Sequence, residues 1–123
     1  MSWEAQLRHT DVVIAGGGLA GSVAAAMLGR AGVDAVLVDP HSVYPPDFRC
    51  EKLDGVQLKT LRLTGLAEAV MSAATPDREC WVARLGHLVE KLPGEQQRGI
   101  RYDALVNTVR SQIPNRTDRK SVV

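Results

Sequence analysis

Gly16, Gly18 and Gly21 stand in the spacing G-x-G-x-x-G, and Asp39 follows 21 positions after Gly18. These residue types at this spacing suit the binding of a dinucleotide. The first glycine permits a tight turn, the second lets backbone approach a pyrophosphate, and the third lets a helix pack closely on a strand. A helix opening at this point offers free N–H groups and the positive end of its dipole to the phosphates. A carboxylate at the position of Asp39 accepts a hydrogen bond from a ribose hydroxyl and would repel a 2′-phosphate. The candidate contacts are Gly16, Gly18, Leu19, Ala20, Gly21 and Asp39.

Such a set needs a strand before the glycines, a helix after them and a second strand ending at the acid. The stretch "DVVIA", residues 11–15, is apolar and rich in β-branched residues, as a buried parallel strand would be. The run that follows has helix-forming composition, with Arg30 in its last turn and Gly32 just beyond it, as helix C-termini prefer. "DAVLVD", residues 34–39, supplies the second strand. Residues 12–28 carry no charge, so a short membrane span or the core of a signal peptide behind Arg8 and His9 are rival readings. The order strand, glycines, helix, strand serves no purpose in a bilayer helix. No membrane span is expected, and the compartment read from the chain is cytoplasmic.

The rest of the composition narrows the field. At 123 residues, 45% apolar and 24% charged, the chain has room for one small globular domain. Fifteen basic residues stand against fourteen acidic ones, with no basic run interleaved with aromatics, which argues against a nucleic-acid surface. Cys50 and Cys80 lack C-x-x-C spacing and histidine pairs nearby, so no metal or redox motif is read and both are expected as reduced thiols.

After Asp39 the strand–helix alternation breaks. A loop with Pro40, Pro45 and Pro46 leads to Phe48 and Arg49, then to a helical stretch carrying Leu53, Val56, Leu61 and Leu66. Residues 79–93, "ECWVARLGHLVEKLP", alternate apolar and polar side chains around Gly86 and read as a hairpin, with Trp81 in the core and His87 a solvated turn residue. "GIRYDALVNTVRSQIP" reads as a helix with Ile100, Ala104 or Leu105, and Val109 on one face, ended by Pro114.

"DVVIAGGGLAG", the acid Asp39, the "FR" at 48–49 and "LTGL" at 63–66 together resemble the N-terminal segment of the class A flavoprotein monooxygenases, the para-hydroxybenzoate hydroxylase-like FAD-dependent oxidoreductases. The resemblance runs from residue 10 to about residue 114. It implies an α/β fold: an incomplete Rossmann-like FAD-binding βαβ unit followed by a helical segment and a β-hairpin. It also implies that Gly16, Gly18 and Gly21 hold the pyrophosphate of FAD, that Asp39 holds the adenosine ribose, and that Arg49 reaches the cofactor from its loop. A guanidinium fork suits paired phosphate and ribose oxygens. That family usually carries an arginine or glutamine three residues before a leucine at the start of the last helix. Here Tyr102 stands three before Leu105 and Arg101 lies one position off, so either is a candidate FAD contact.

The activity implied is NAD(P)H-dependent hydroxylation of a small-molecule substrate, with NAD(P)H as a transient reductant; no catalytic acid, base or nucleophile is named. A prenyl reductase or halogenase on the same flavin fold carries the same motifs, and the glycine loop alone would also suit a non-catalytic NAD-binding module. The third strand that a Rossmann-type domain needs beside the first is not read anywhere in the chain. "DRKSVV", residues 118–123, reads as translated sequencing adapter. Residues 1–115 are therefore expected to be a truncated FAD-binding domain, inactive by itself, and 116–123 a non-native tail.

Overall fold

The computed structural model describes residues 9–94 and 97–114 and the backbone of 118–121. Strand β1 (Val12–Ala15), helix α1 (Leu19–Arg30) and strand β2 (Ala35–Asp39) form the expected unit, with β1 and β2 parallel and in register from Val12–Ala35 to Ala15–Val38. Small residues let α1 lie close: Ser22, Ala25 and Ala26 are fully buried. Gly32, at φ +79°, turns the chain out of the helix, where a left-handed residue costs glycine little. No described helix is long and apolar enough to cross a membrane.

The two strands are not buried on both faces. Leu37 is buried, whereas Val13, whose side chain points to the opposite face, is 64% exposed. The sheet also has a third strand, but it lies on the outer edge of β2; among the described residues none stands on the free side of β1, where the sequence reads none. Backbone 118–121, strand β8 (Asp118–Ser121), runs parallel to β2, pairing Val36 with Asp118 and Asp39 with Ser121, so the order is β1-β2-β8. The outer edge of β2 offers unpaired N–H and C=O groups, and an extended segment of almost any composition satisfies them. The neighbour of β8 is β2, not β1.

Strand β3 (Cys50–Leu53) leads into α2 (Gly55–Thr64) and α3 (Ala67–Ala73). Leu53 thus ends a strand instead of opening a helix. Asp54 starts α2 with a capping box: its carboxylate accepts from the N–H groups of Val56 and Gln57, and the Gln57 side chain accepts from the Asp54 N–H. Strand β7 (Arg98–Arg101) pairs antiparallel with β3 on one side and with the short β4 (Thr75–Pro76) on the other. Helix α4 (Tyr102–Ser111) follows β7 without a loop, so Ile100 belongs to the strand and not to the helix face on which the sequence placed it. Neither Gly nor Pro marks the junction at Arg101, which is why periodicity ran the helix through it.

The core lies where α1, α3 and α4 meet over Leu37: Leu66, Val70, Leu105 and Val109 are at most 1% exposed. Arg30, in the last turn of α1, donates to the Thr64 carbonyl and to Gln112 Oε1. The hairpin β5 (Glu79–Arg84) and β6 (His87–Pro93) turns at Leu85 and Gly86, both at positive φ, as a two-residue type I′ turn requires. Trp81 is 61% exposed there, which corrects the expectation of core packing. Its indole N–H donates to Glu79, and Lys91 lies over its ring.

Candidate functional site

The glycine loop begins where β1 ends. The Gly16 N–H donates to the Val38 carbonyl at 2.8 Å, continuing the pairing into the turn at φ +99°. The Gly17 N–H donates to Asp39 Oδ2 at 2.7 Å, so the strand-end acid reaches across the loop. Gly18 is the N-cap of α1 and supplies no capping side chain, and the first turn holds no acid. The backbone amides at this end are therefore presented in a field that suits an anion.

The glycines differ in why they are glycines. A Cβ at Gly21 would overlap the backbone carbonyl of Gly16. A Cβ at Gly17 would run into the Arg110 guanidinium. At Gly18 a Cβ would meet only the Tyr102 hydroxyl, at an ordinary 3.5 Å, and its φ of −70° is open to any residue. The fold thus has no need of glycine at 18. That space over the helix N-terminus is where backbone must stay bare if a phosphate is to approach, which is the fit the motif requires.

Asp39 is fixed from several directions. Its Oδ1 accepts from the His41 N–H at 2.8 Å and lies 3.4 Å from Arg110 Nη2. Burial pushes the carboxyl up, but the His41 and Gly17 N–H groups and the Arg110 charge together outweigh it and hold the group below the usual carboxylate range.

Arg49 and Tyr102 come together beside this loop. The Arg49 guanidinium lies 4.3 Å from the Tyr102 ring centroid, bonds Asp47 through Nε and Nη2, and donates to the Tyr44 hydroxyl at 3.3 Å. Tyr44 meets Tyr102 edge to face at 5.5 Å. The Tyr102 hydroxyl in turn accepts from the Leu19 N–H at 3.3 Å, at the first residue of α1. Arg101 closes a two-point ion pair with Asp103 instead and is 62% exposed. Of the two candidates at this helix start, the tyrosine is the one joined to the glycine loop.

Sequence reasoning missed three residues that hold the site's loops. Asn107 pins Tyr44 by accepting from its N–H and donating to its carbonyl. Tyr44 itself links Arg49 to Tyr102. Arg110, 4% exposed, donates to the carbonyls of Gly17, His41 and Ser42. One signal was present: Asp103, Val106 and Arg110 fall at i, i+3 and i+7, a buried helical face on which a cation is out of place without partners.

No curated protein sequence matches the chain. Among solved structures, the chain is similar to p-nitrophenol 4-monooxygenase PnpA from Pseudomonas putida DLL-E4, with TM-score 0.71 and 20% identity over 89% of this chain and 31% of that one. P. aeruginosa PqsL in complex with 2-aminobenzoylacetate is similar at TM-score 0.68 and 21% identity, over 91% and 33%. A variant of 2-methyl-3-hydroxypyridine-5-carboxylic acid oxygenase follows at TM-score 0.67 and 24% identity, over 92% and 31%. The chain thus spans about a third of the length of these proteins. Residues 9–114, which contain the glycine loop, Asp39 and α4, match the FAD binding domain family. Taken with the bare helix N-terminus and its neighbouring acid, this match shows that the chain belongs to the FAD binding domain family.

Proposed function

We propose that this chain forms the adenosine and pyrophosphate side of the FAD site in an NAD(P)H-dependent monooxygenase that hydroxylates a small organic substrate. The observation that carries the reading is the acid-free start of α1, whose N-cap Gly18 has no capping side chain, with Asp39 beside it. The family match favours FAD over the bare NAD-binding module that the motif alone permits. The hydroxylation rests on likeness to PnpA and to the pyridine carboxylic acid oxygenase.

The residues divide the work by type. Gly16 turns the chain, Gly18 keeps the approach clear, and the first amides of α1 hold the pyrophosphate: those of Ala20 and Gly21 directly, and that of Leu19 by exchanging its bond to the Tyr102 hydroxyl for one to the phosphate. Asp39 accepts from the adenosine ribose. Arg49 and Tyr102 flank the phosphates with a guanidinium and a hydroxyl, and Arg101, turned to Asp103, is left out of the contact. FAD, when bound, supplies the redox chemistry; the protein orients it and limits water.

Gly18→Val tests this directly, because neither φ nor the space for a Cβ at position 18 demands glycine. The variant is expected to keep the wild-type melting temperature and lose FAD, read as flavin absorbance after purification and as a binding titration. A variant that stays yellow at wild-type stoichiometry would remove Gly18 from the pyrophosphate site.

A further inference from the structure

Arg110 is an expensive residue for the place it occupies. Its side chain is 4% exposed on the face of α4 that also buries Val106 and Val109, where hydrocarbon would cost no desolvation. Its donors go to two separate loops: Nε and Nη2 to the Gly17 carbonyl at 2.9 and 2.5 Å, and Nη1 to the carbonyls of His41 and Ser42 at 2.7 and 3.3 Å. Those loops leave the C-terminal ends of β1 and β2, the edge along which open α/β sheets take their ligands. Between them stands Asp39, with Arg110 Nη2 3.4 Å from Oδ1.

We propose that Arg110 is the positioning residue of the adenosine-ribose subsite, locking the glycine loop and the loop after β2 at one spacing and fixing the rotamer in which Asp39 accepts a ribose hydroxyl. The inference rests on the FAD reading above. A planar fork with five donors can serve three carbonyls and a carboxylate at once; an ammonium on a flexible stem cannot hold the same four directions. The guanidinium has a second effect. Asp39 is bonded to the same loop that would receive a pyrophosphate, and two anions there repel. Arg110 offsets the carboxylate charge from below, leaving its acceptor lone pairs for the sugar.

The test compares ADP with 2′-deoxy-ADP on the full chain, by calorimetric titration. In the wild type, losing the 2′-hydroxyl is expected to weaken binding by about tenfold, the scale of a hydrogen bond to a charged group. In Arg110→Lys, which keeps the charge but not the fork, ADP binding weakens and the ratio between the two ligands collapses toward one. Arg110→Met does the same if it folds; if it does not, the lysine variant decides. Arg110→Lys with both affinities unchanged, or lowered together at an unchanged ratio, would mean a scaffold role only and overturns the proposal. A wild-type chain that binds ADP and 2′-deoxy-ADP equally overturns it too, by removing Asp39 from the ribose. A wild-type chain that binds neither FAD nor ADP overturns the functional reading on which it rests.

Discussion

Residues 12–39 and residues 79–93 are both pairs of apolar strands joined through glycine, and they have opposite fates. In the first, Ala25, Ala26 and Ala35 are fully buried and Leu37 nearly so. In the second, every residue of β6 is exposed, and Leu85, Val89 and Trp81 are 99%, 60% and 61% exposed. The glycines show why. Gly21 lets one backbone touch another, so the helix drops onto the strand, whereas a Cβ at Gly86 would meet nothing. One glycine permits packing and the other only permits a turn. The proposed site is built on the first arrangement, since a loop held by packing can present its amides at fixed positions.

Four substitutions probe that contrast. The largest effect is expected from Gly21→Val, which drives a side chain into the Gly16 carbonyl, a group that cannot rotate aside. It should cost more than about 3 kcal/mol in urea unfolding, at the severe end of overpacking. If the variant is no less stable than a hairpin variant, the distinction between the two glycines fails. Leu105→Ala, at a position 1% exposed, should cost about 2 to 5 kcal/mol by the same measurement, depending on how far α4 can settle into the void.

Asp39→Asn sharpens the comparison through pH. The folded carboxyl is held below its unfolded value, near 3.9, so its contribution is present above that pH and is lost as pH falls through the folded value. The variant should be less stable than wild type by about 1 kcal/mol at neutral pH, and the gap should close below about pH 4. A gap that stays constant down to pH 2.5 would show that the carboxylate charge is not what the loop uses. Trp81→Ala should shift stability by less than about 0.5 kcal/mol, since an exposed ring has little area to lose. A large loss there would mean that the hairpin packs against something in solution.

Much of this was legible beforehand because it rests on local rules. The glycine spacing, the run of small residues and the acid at a strand end define β1, α1 and β2, and the positive-φ turn marks the hairpin. What was not legible depends on distant partners. Arg110 drew no reading from the sequence, because its partners lie 68 to 93 positions away in the chain. Val109 was placed correctly and the choice between Ala104 and Leu105 falls to the buried Leu105, yet Ile100 was assigned to their helix although it lies in β7, whose pairing with β3 no helical period reports. Trp81 fails for a related reason: alternation predicts a face, but not whether anything covers it. Nor does spacing show that Asp103 pairs with the Arg101 guanidinium while the Tyr102 hydroxyl reaches the Leu19 N–H.

Arg30 has a consequence beyond its two hydrogen bonds. Tyr102 meets Leu19 where α4 and α1 begin, and Arg30 meets Gln112 where they end, so the two helices lie side by side and point the same way. The end of α2 joins them through the Thr64 carbonyl. Three negative helix ends therefore gather around one guanidinium, while the positive starts of α1 and α4 gather at the glycine loop. The domain is polarised along one axis, with its own cation neutralising the far end. At the near end the two helices part: α4 carries Asp103 in its first turn, whereas the first turn of α1 holds no acid, so it is the field of α1 that is left to act on an anion arriving from outside.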